Sequence, residues 1–360
     1  MKCLRFIQIT IGQPGQDLPA KNTSFAAKAW KASECGPMLE VMRVSFLLLL
    51  ALLLAVPARA QKSAAEQVID AFHLWSGGQD RAAMSILEPV VERGADGLVG
   101  SDLGVAWNVL GSCYMDLEMY DQARRAYQHA MEILRPIPAA QNQYASTMDN
   151  MGVLEKALGD RNSAKRLCEQ ARHIHETLGN SAGVAITSTN LAVIAIAQRD
   201  FKRARRDFER ASQEAQRASA MREDDIAAID VVESALALHD RRDGAAISAV
   251  QRAIDRWTRA HGPGYFMIGT GYLLRAQAFA KIGDYDRATA DARHALDIVE
   301  AAIGKNTVGY LTAEEEYARI LRASGDKEQG SRLQKQASSG LALMESRQCG
   351  GCTINVSGYR

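Results

Sequence analysis

The stretch that decides the fold reads WNVLGSCY at residues 107–114 and ARRAYQHA at residues 123–130. Both octets mix small and large residues at helical spacing. Small residues such as Gly111 and Ala123 allow two antiparallel helices to cross closely. Large residues such as Tyr127 fill the space between one hairpin and the next. The stretch therefore predicts a pair of packed helices.

The same small residue recurs along the chain at a nearly constant interval. The repeated alanines are Ala130, Ala171, Ala211, Ala253, Ala295 and Ala337, separated by 41, 40, 42, 42 and 42 residues. Seven residues before them stand Ala123, Ala164, Ala204, Ala246, Ala288 and, breaking the rule, Gly330. A fixed period of this length is the signature of a helical repeat array.

Turn signals and composition agree with this period. Turns are expected before the second helices at Gly159-Asp160, Arg199-Asp200, Asp243-Gly244, Gly283-Asp284 and Gly325-Asp326. The chain has only 8 prolines in 360 residues and 6% aromatic residues, which favours long helices. We therefore predict an all-α fold, an α-solenoid of about seven antiparallel helix hairpins. It should span about residues 64–340, with atypical hairpins at both ends.

These residues resemble the tetratricopeptide repeat at nearly every signature position of 107–130. The period of about 42 residues is longer than the common 34 and is similar to the long repeats of the kinesin light chain type. The motifs are strongest between residues 107 and 211 and looser afterwards, where Glu233-Ser234 and Arg275-Ala276 replace the usual Leu-Gly or Leu-Ala.

The resemblance implies a concave face made by the first helix of each hairpin. In the long-repeat family, asparagines on this face bind the backbone of an extended peptide, since an amide both donates and accepts hydrogen bonds. The matching positions and their neighbours here are Asn108, Ser112, Asp149, Asn150, Lys156, Thr189 and Asn190. The alternative is that each Asn only ties adjacent hairpins together. Val232, Leu274 and Glu316 replace Asn further on, so any such groove is short.

A hydrophobic segment near the N-terminus has the features of an export signal. Phe46–Val56 is an uninterrupted apolar run of 11 residues, too short for a bilayer span of about 20. Ala58-Arg59-Ala60 then forms an A-x-A cleavage site before Gln61. The alternative is a buried apolar helix in a cytosolic protein.

The position of this segment leads to a domain assignment. Residues 1–41 show no periodic pattern, and we expect translation to begin at Met42, with 1–41 a non-native extension. Residues 42–60 would be the signal peptide, 61–340 the repeat array and 341–360 a C-terminal tail. The mature chain would be periplasmic or secreted, with no membrane span. It would keep 36 basic and 39 acidic residues, a net charge of −3.

Charge and motifs argue against several functional classes. The whole chain balances 43 Lys and Arg against 42 Asp and Glu, which gives no electrostatic case for nucleic acid. No G-x-S-x-G, H-E-x-x-H, phosphate loop or G-x-G-x-x-G occurs. We therefore expect a non-enzymatic scaffold that binds a protein or peptide partner, without cofactor or metal.

The tail carries a C-x-x-C at Cys349 and Cys352. We expect a local disulfide in an oxidising compartment. A thioredoxin-like pair needs a strand before it and a helix after it, and a zinc site needs two more ligands. The alternative function is a thiol-redox or disulfide-linked envelope protein that uses these two cysteines.

Overall fold

The computed structural model describes residues 62–94 and 97–348, and within them the chain forms fourteen α-helices and no strand. The helices are α1 (Ala64–Ser76), α2 (Asp80–Glu92), α3 (Ser101–Asp116), α4 (Tyr120–Leu134), α5 (Gln141–Ala157), α6 (Arg161–Thr177), α7 (Ser181–Ala197), α8 (Phe201–Arg217), α9 (Glu223–His239), α10 (Asp243–His261), α11 (Phe266–Lys281), α12 (Tyr285–Ile303), α13 (Val308–Ser324) and α14 (Lys327–Gln348). Consecutive helices pair into seven antiparallel hairpins, α1–α2 to α13–α14. The predicted all-α solenoid is confirmed.

Parts of the predicted domain scheme lie outside the described residues. These are the extension 1–41, the signal peptide 42–60 and the pair Cys349 and Cys352. At the other end, α14 continues to Gln348, so the array runs into the segment that we assign to the tail. Among residues 62–94 and 97–348, no helix combines the length and apolar character that a bilayer span requires.

The repeated small residues lie where the two helices of each hairpin cross. All of the repeated alanines are buried, with at most 1% of their surface exposed. Gly330 breaks the rule for a steric reason. A Cβ built on Gly330 would lie 2.8 Å from the backbone oxygen of Ala318, so α13 and α14 cross too closely for a methyl group.

Each hairpin turn contains one residue with a left-handed backbone. These residues and their φ angles are Gly78 (73°), Glu118 (58°), Gly159 (88°), Arg199 (59°), Arg241 (59°), Gly283 (82°) and Gly325 (109°). In four turns the following aspartate, Asp160, Asp200, Asp284 or Asp326, caps the next helix with its side chain. In the fifth hairpin the turn lies at Arg241, earlier than predicted, and Asp243 already belongs to α10.

The array brings its second hairpin against its seventh. The Glu118 carboxylate accepts hydrogen bonds from the backbone N–H groups of Val308, at 2.6 Å, and Gly309, at 2.7 Å. These amides are the first of α13, where an anion also meets the positive end of the helix dipole. Burial raises the pKa of Glu118, while the two amide hydrogen bonds act in the opposite direction. One carboxylate therefore fastens residues 190 positions apart.

The first hairpin makes a similar contact with the fifth and sixth. Arg222, at the start of α9, lies 4.9 Å from the centre of the Trp75 ring. Trp75 Nε1 donates to Asp116 at 3.0 Å, and the ring of Tyr265 packs against Gly78. We call these contacts, together with that of Glu118, the seam.

Candidate functional site

The first helices of five successive hairpins, α1, α3, α5, α7 and α9, line a groove with a volume of about 460 Å³. Amide and hydroxyl side chains line it together with apolar side chains such as Phe72, Trp75 and Val109. Of the predicted site residues, the structure brings five together here: Asn108, Asp149, Asn150, Thr189 and Asn190. We call it the inner groove.

The asparagines of the groove join neighbouring hairpins. Asn150 Nδ2 donates to Asn108 Oδ1 at 3.0 Å, and Asn190 Nδ2 donates to Asp149 Oδ2 at 2.7 Å. These bonds match the alternative in which each Asn ties hairpins together. They use only part of each amide, because the carbonyl oxygens of Asn150 and Asn190 accept no hydrogen bond from the described residues.

Several buried oxygens of the groove residues have no partner. Gln143 Oε1 makes no hydrogen bond, and Asp149 Oδ1 and Thr187 Oγ1 make none of good geometry, although the Thr187 hydroxyl and the Cys168 thiol lie near the Asp149 carboxylate. Asp149 is only 3% exposed and Thr187 is fully buried. Burial raises the pKa of Asp149 to about 6, and the nearby Cys168 thiol and Asn190 amide hold it from rising further. Buried polar atoms without partners cost free energy, so the groove wall has unused capacity for hydrogen bonds.

One end of the groove is a neutral hydrogen-bonded cluster. Asn142 Oδ1 lies 3.1 Å from His175 Nδ1 and accepts from Asn180 Nδ2 at 2.5 Å. Burial lowers the pKa of His175 to about 4, so the ring is uncharged at neutral pH. Gly183 allows this packing, because a Cβ there would lie 2.5 Å from the His175 ring.

The other end of the groove is formed by the part of the seam in which Trp75 meets Arg222. Phe72 and Trp75 supply an aromatic wall, and Arg222 lies over the Trp75 ring. Arg222 also pairs with Asp224 at 3.1 Å and with Asp225 at 3.7 Å. Burial raises the pKa of Asp225, and Arg222 opposes that shift.

Two predicted site residues do not line the groove. Ser112 is buried beneath it, where its hydroxyl donates to the Asn108 carbonyl and accepts from Tyr127. Lys156 lies two turns beyond Asp149 on α5, where burial lowers its pKa and the nearby Cys168 opposes that shift. Thr189 does line the groove, but its hydroxyl already donates to the Ala185 carbonyl at 2.8 Å.

Comparison with known proteins identifies the repeat. Residues 102–176 match the tetratricopeptide repeat family. These residues are tetratricopeptide repeats. The hairpins after residue 176 keep the same crossing alanines and the same period, so the same helical-hairpin architecture continues through the array. A comparison with curated proteins gives no match.

Solved structures share this tetratricopeptide solenoid. A Rap protein complexed with Competence and Sporulation Factor is 12% identical, with a TM-score of 0.59 over 79% of this chain and 78% of that chain. The apo form of RapI is 14% identical, with a TM-score of 0.52 over 75% of this chain and 93% of that chain. A third structure is a Signal Transduction ATPase with Numerous Domains protein with a tetratricopeptide repeat sensor, from Pyrococcus horikoshii. It is 11% identical, with a TM-score of 0.50 over 91% of this chain and 49% of that chain. At these identities the likeness shows the fold.

Other groove residues were not predicted from the sequence. Asn142 stands two helical turns before Asn150 on α5, and this spacing was a usable signal. His175 belongs to a second helix, α6, which the tetratricopeptide pattern assigns to the outer layer. Trp75 and Arg222 meet only because the array closes at the seam, and neither follows the repeat period.

Proposed function

We propose that this chain is an exported, non-enzymatic scaffold that binds an extended peptide segment of a protein partner in the inner groove. The observation that carries the proposal is the unused hydrogen-bonding capacity of the amide side chains in a 460 Å³ groove. The free carbonyl oxygens of Asn150 and Asn190 suit the N–H groups of a peptide backbone.

The spacing of the two asparagines fits an extended chain. They occupy the same repeat position on α5 and α7, 40 residues apart. Neighbouring helices pack about 10 Å apart, and an extended peptide advances about 3.3 Å per residue. The two amides would therefore contact backbone groups about three residues apart.

The comparisons support this class of function. Tetratricopeptide repeats are typical of protein-interaction scaffolds, and the similar Rap protein was solved with Competence and Sporulation Factor. The groove also lacks an activated nucleophile at its floor. Cys168, the thiol nearest Asp149, is fully buried and its pKa is raised well above the usual value, whereas a catalytic thiol needs a lowered one.

The double substitution Asn150→Ala/Asn190→Ala tests the proposal. A peptide selected by the full wild-type chain from a displayed random heptapeptide library would serve as the probe. Each lost amide contact should cost about 1 kcal/mol, so each single variant should bind about fivefold more weakly and the double variant weaker still. Titration calorimetry measures the affinities.

Asn162→Ala is the matched control, because Asn162 is exposed on α6 and lies outside the groove. It should leave the affinity unchanged. Unchanged affinity of the double variant with an intact fold would place binding elsewhere. Loss of the helical circular dichroism signal would show that the asparagines act as ties between hairpins.

Export forms the second part of the proposal. Ser63 caps α1, and its side chain accepts from the Glu66 backbone N–H, so the first described helix starts just after Gln61. Cleavage after Ala60 would therefore leave every described helix intact. N-terminal sequencing of the protein from its native host should find Gln61 or a residue within a few positions of it. Peptides from residues 5–40 in the mature protein would contradict export by this signal.

A further inference from the structure

The inner groove contains one negative charge that the protein does not match. Its charged or titratable wall residues are Asp149, His175, Arg222 and Asp225. His175 is neutral at pH 7, because burial lowers its pKa to about 4. Arg222 is 3.7 Å from Asp225, so these two charges offset each other. Asp149 is left without a counter-ion in the groove.

Asp149 forms no ion pair with a basic side chain in the described part of the chain. The largest influences on the Asp149 pKa come from burial, Cys168, Asn190, Thr187 and Asp225, and none of these groups is basic. Lys156 is on the same helix, but Asp149 is not among the groups that shift the Lys156 pKa. Asp225 acts on Asp149 as a like charge.

One Asp149 oxygen lacks a well-formed hydrogen bond. Asn190 donates to Oδ2, whereas Oδ1 makes no bond of good geometry, although the Thr187 hydroxyl and the Cys168 thiol lie near the carboxylate. Asp149 is only 3% exposed, and it is among the residues that line the groove. A buried carboxylate is stable only when it is paired, so a cationic donor would complete this site.

We propose that the inner groove binds a peptide that carries a cationic group, which pairs with Asp149. This inference rests on the proposed function and adds the charge of the ligand. The cation is the ammonium or guanidinium of a Lys or Arg side chain, or a free N-terminal amine. The asparagines contact the peptide backbone, and Asp149 selects the residue between them.

Selection of a displayed random heptapeptide library for binding to the full chain tests the inference. Selection by the wild-type chain should enrich Lys or Arg at one position, or require a free N-terminus. Synthetic pairs of a selected peptide, with Lys replaced by Gln or Arg by citrulline, and with or without N-terminal acetylation, identify the source of the charge. Removing the effective cation should weaken binding to the wild-type chain by at least about tenfold.

The Asp149→Asn variant completes a double-mutant cycle with the peptide pairs. The Asn side chain keeps an oxygen that can accept from Asn190 but carries no charge. It should reduce the tenfold preference to less than about twofold, whereas Asp286→Asn, an exposed position on α12, should preserve it. Selected peptides without a cation preference, or a preference that survives in Asp149→Asn, would overturn the inference but leave peptide binding intact. A library that yields no binder would overturn both. If Asp149→Asn does not fold, the peptide pairs on the wild-type chain still decide the matter.

Discussion

Replacing Glu118 by Ala is expected to lower the free energy of unfolding by about 2–4 kcal/mol. The carboxylate accepts two backbone hydrogen bonds, from Val308 and Gly309, at the first turn of α13. A hydrogen bond to a charged group contributes about 1.5–3 kcal/mol, and the helix dipole adds to it. Urea denaturation of the full chain measures the loss.

Arg199→Ala is the matched control. Arg199 has a φ of 59° and Glu118 a φ of 58°, and they occupy equivalent turns, so Ala carries the same backbone strain at both positions. Arg199→Ala should change stability by less than about 0.5 kcal/mol. Hydrogen exchange should show faster exchange at Val308 and Gly309 in Glu118→Ala, and unchanged protection there would mean that the seam does not depend on this carboxylate.

The repeat units could be predicted from the sequence because their contacts are local. Ala123, Ala164 and Ala204 each meet a helix of their own hairpin, so a single residue type at a fixed period encodes each crossing. Even the exception at Gly330 has a local cause, the approach of the Ala318 carbonyl.

The seam could not be predicted in this way. The Glu118 carboxylate contacts Val308, 190 residues away, and the residues of the seam do not recur at the repeat period. Their meeting depends on the accumulated rotation of the successive hairpins, which small angular differences at each crossing determine. A pattern that specifies nearest neighbours does not contain that sum.

The candidate site lies between these two cases. The repeat position predicted that Asn150 and Asn190 would share a face, and the structure places both on the inner groove. The repeat position could not predict that their amides would donate to Asn108 and Asp149, because those hydrogen bonds depend on side-chain rotamers. The prediction for Ser112 did not account for its local hydrogen bond. Ser112 stands four residues after Asn108 on the same helix, and its hydroxyl donates to the Asn108 carbonyl instead of facing the groove.

The contribution of Asp80 and Asp116 to stability is expected to fall as the pH rises from acidic to neutral, and the Asp116→Asn variant should weaken this dependence. Asp80 and Asp116 lie together at the seam, and burial raises the pKa of both, with the like charge of Asp80 raising that of Asp116 further. Their values exceed the ordinary 3.8, so the folded state binds protons more tightly than the unfolded chain. The stabilisation is complete below pH 3.8 and is lost as the pH rises through the raised values.

Asp116→Asn removes one charge while preserving the shape of the side chain. Its amide oxygen can still accept from Trp75 Nε1, and its N–H group can donate to Asp80, so an acid pair becomes an amide–carboxylate hydrogen bond. We expect the variant to gain about 2 kcal/mol relative to the wild type between pH 5 and pH 8, as measured by urea denaturation at each pH.

Asp121→Asn provides the comparison. Asp121 is exposed on α4, so its substitution removes one negative charge from the same hairpin without changing a buried pair. Its stability should follow the wild-type pH profile, displaced by a constant amount. Asp149 has a raised pKa and His175 a lowered one, so both also shape the wild-type profile, and the effect of Asp116→Asn is the difference between the two profiles. Parallel profiles for the wild type and Asp116→Asn would show that the pair does not titrate with folding.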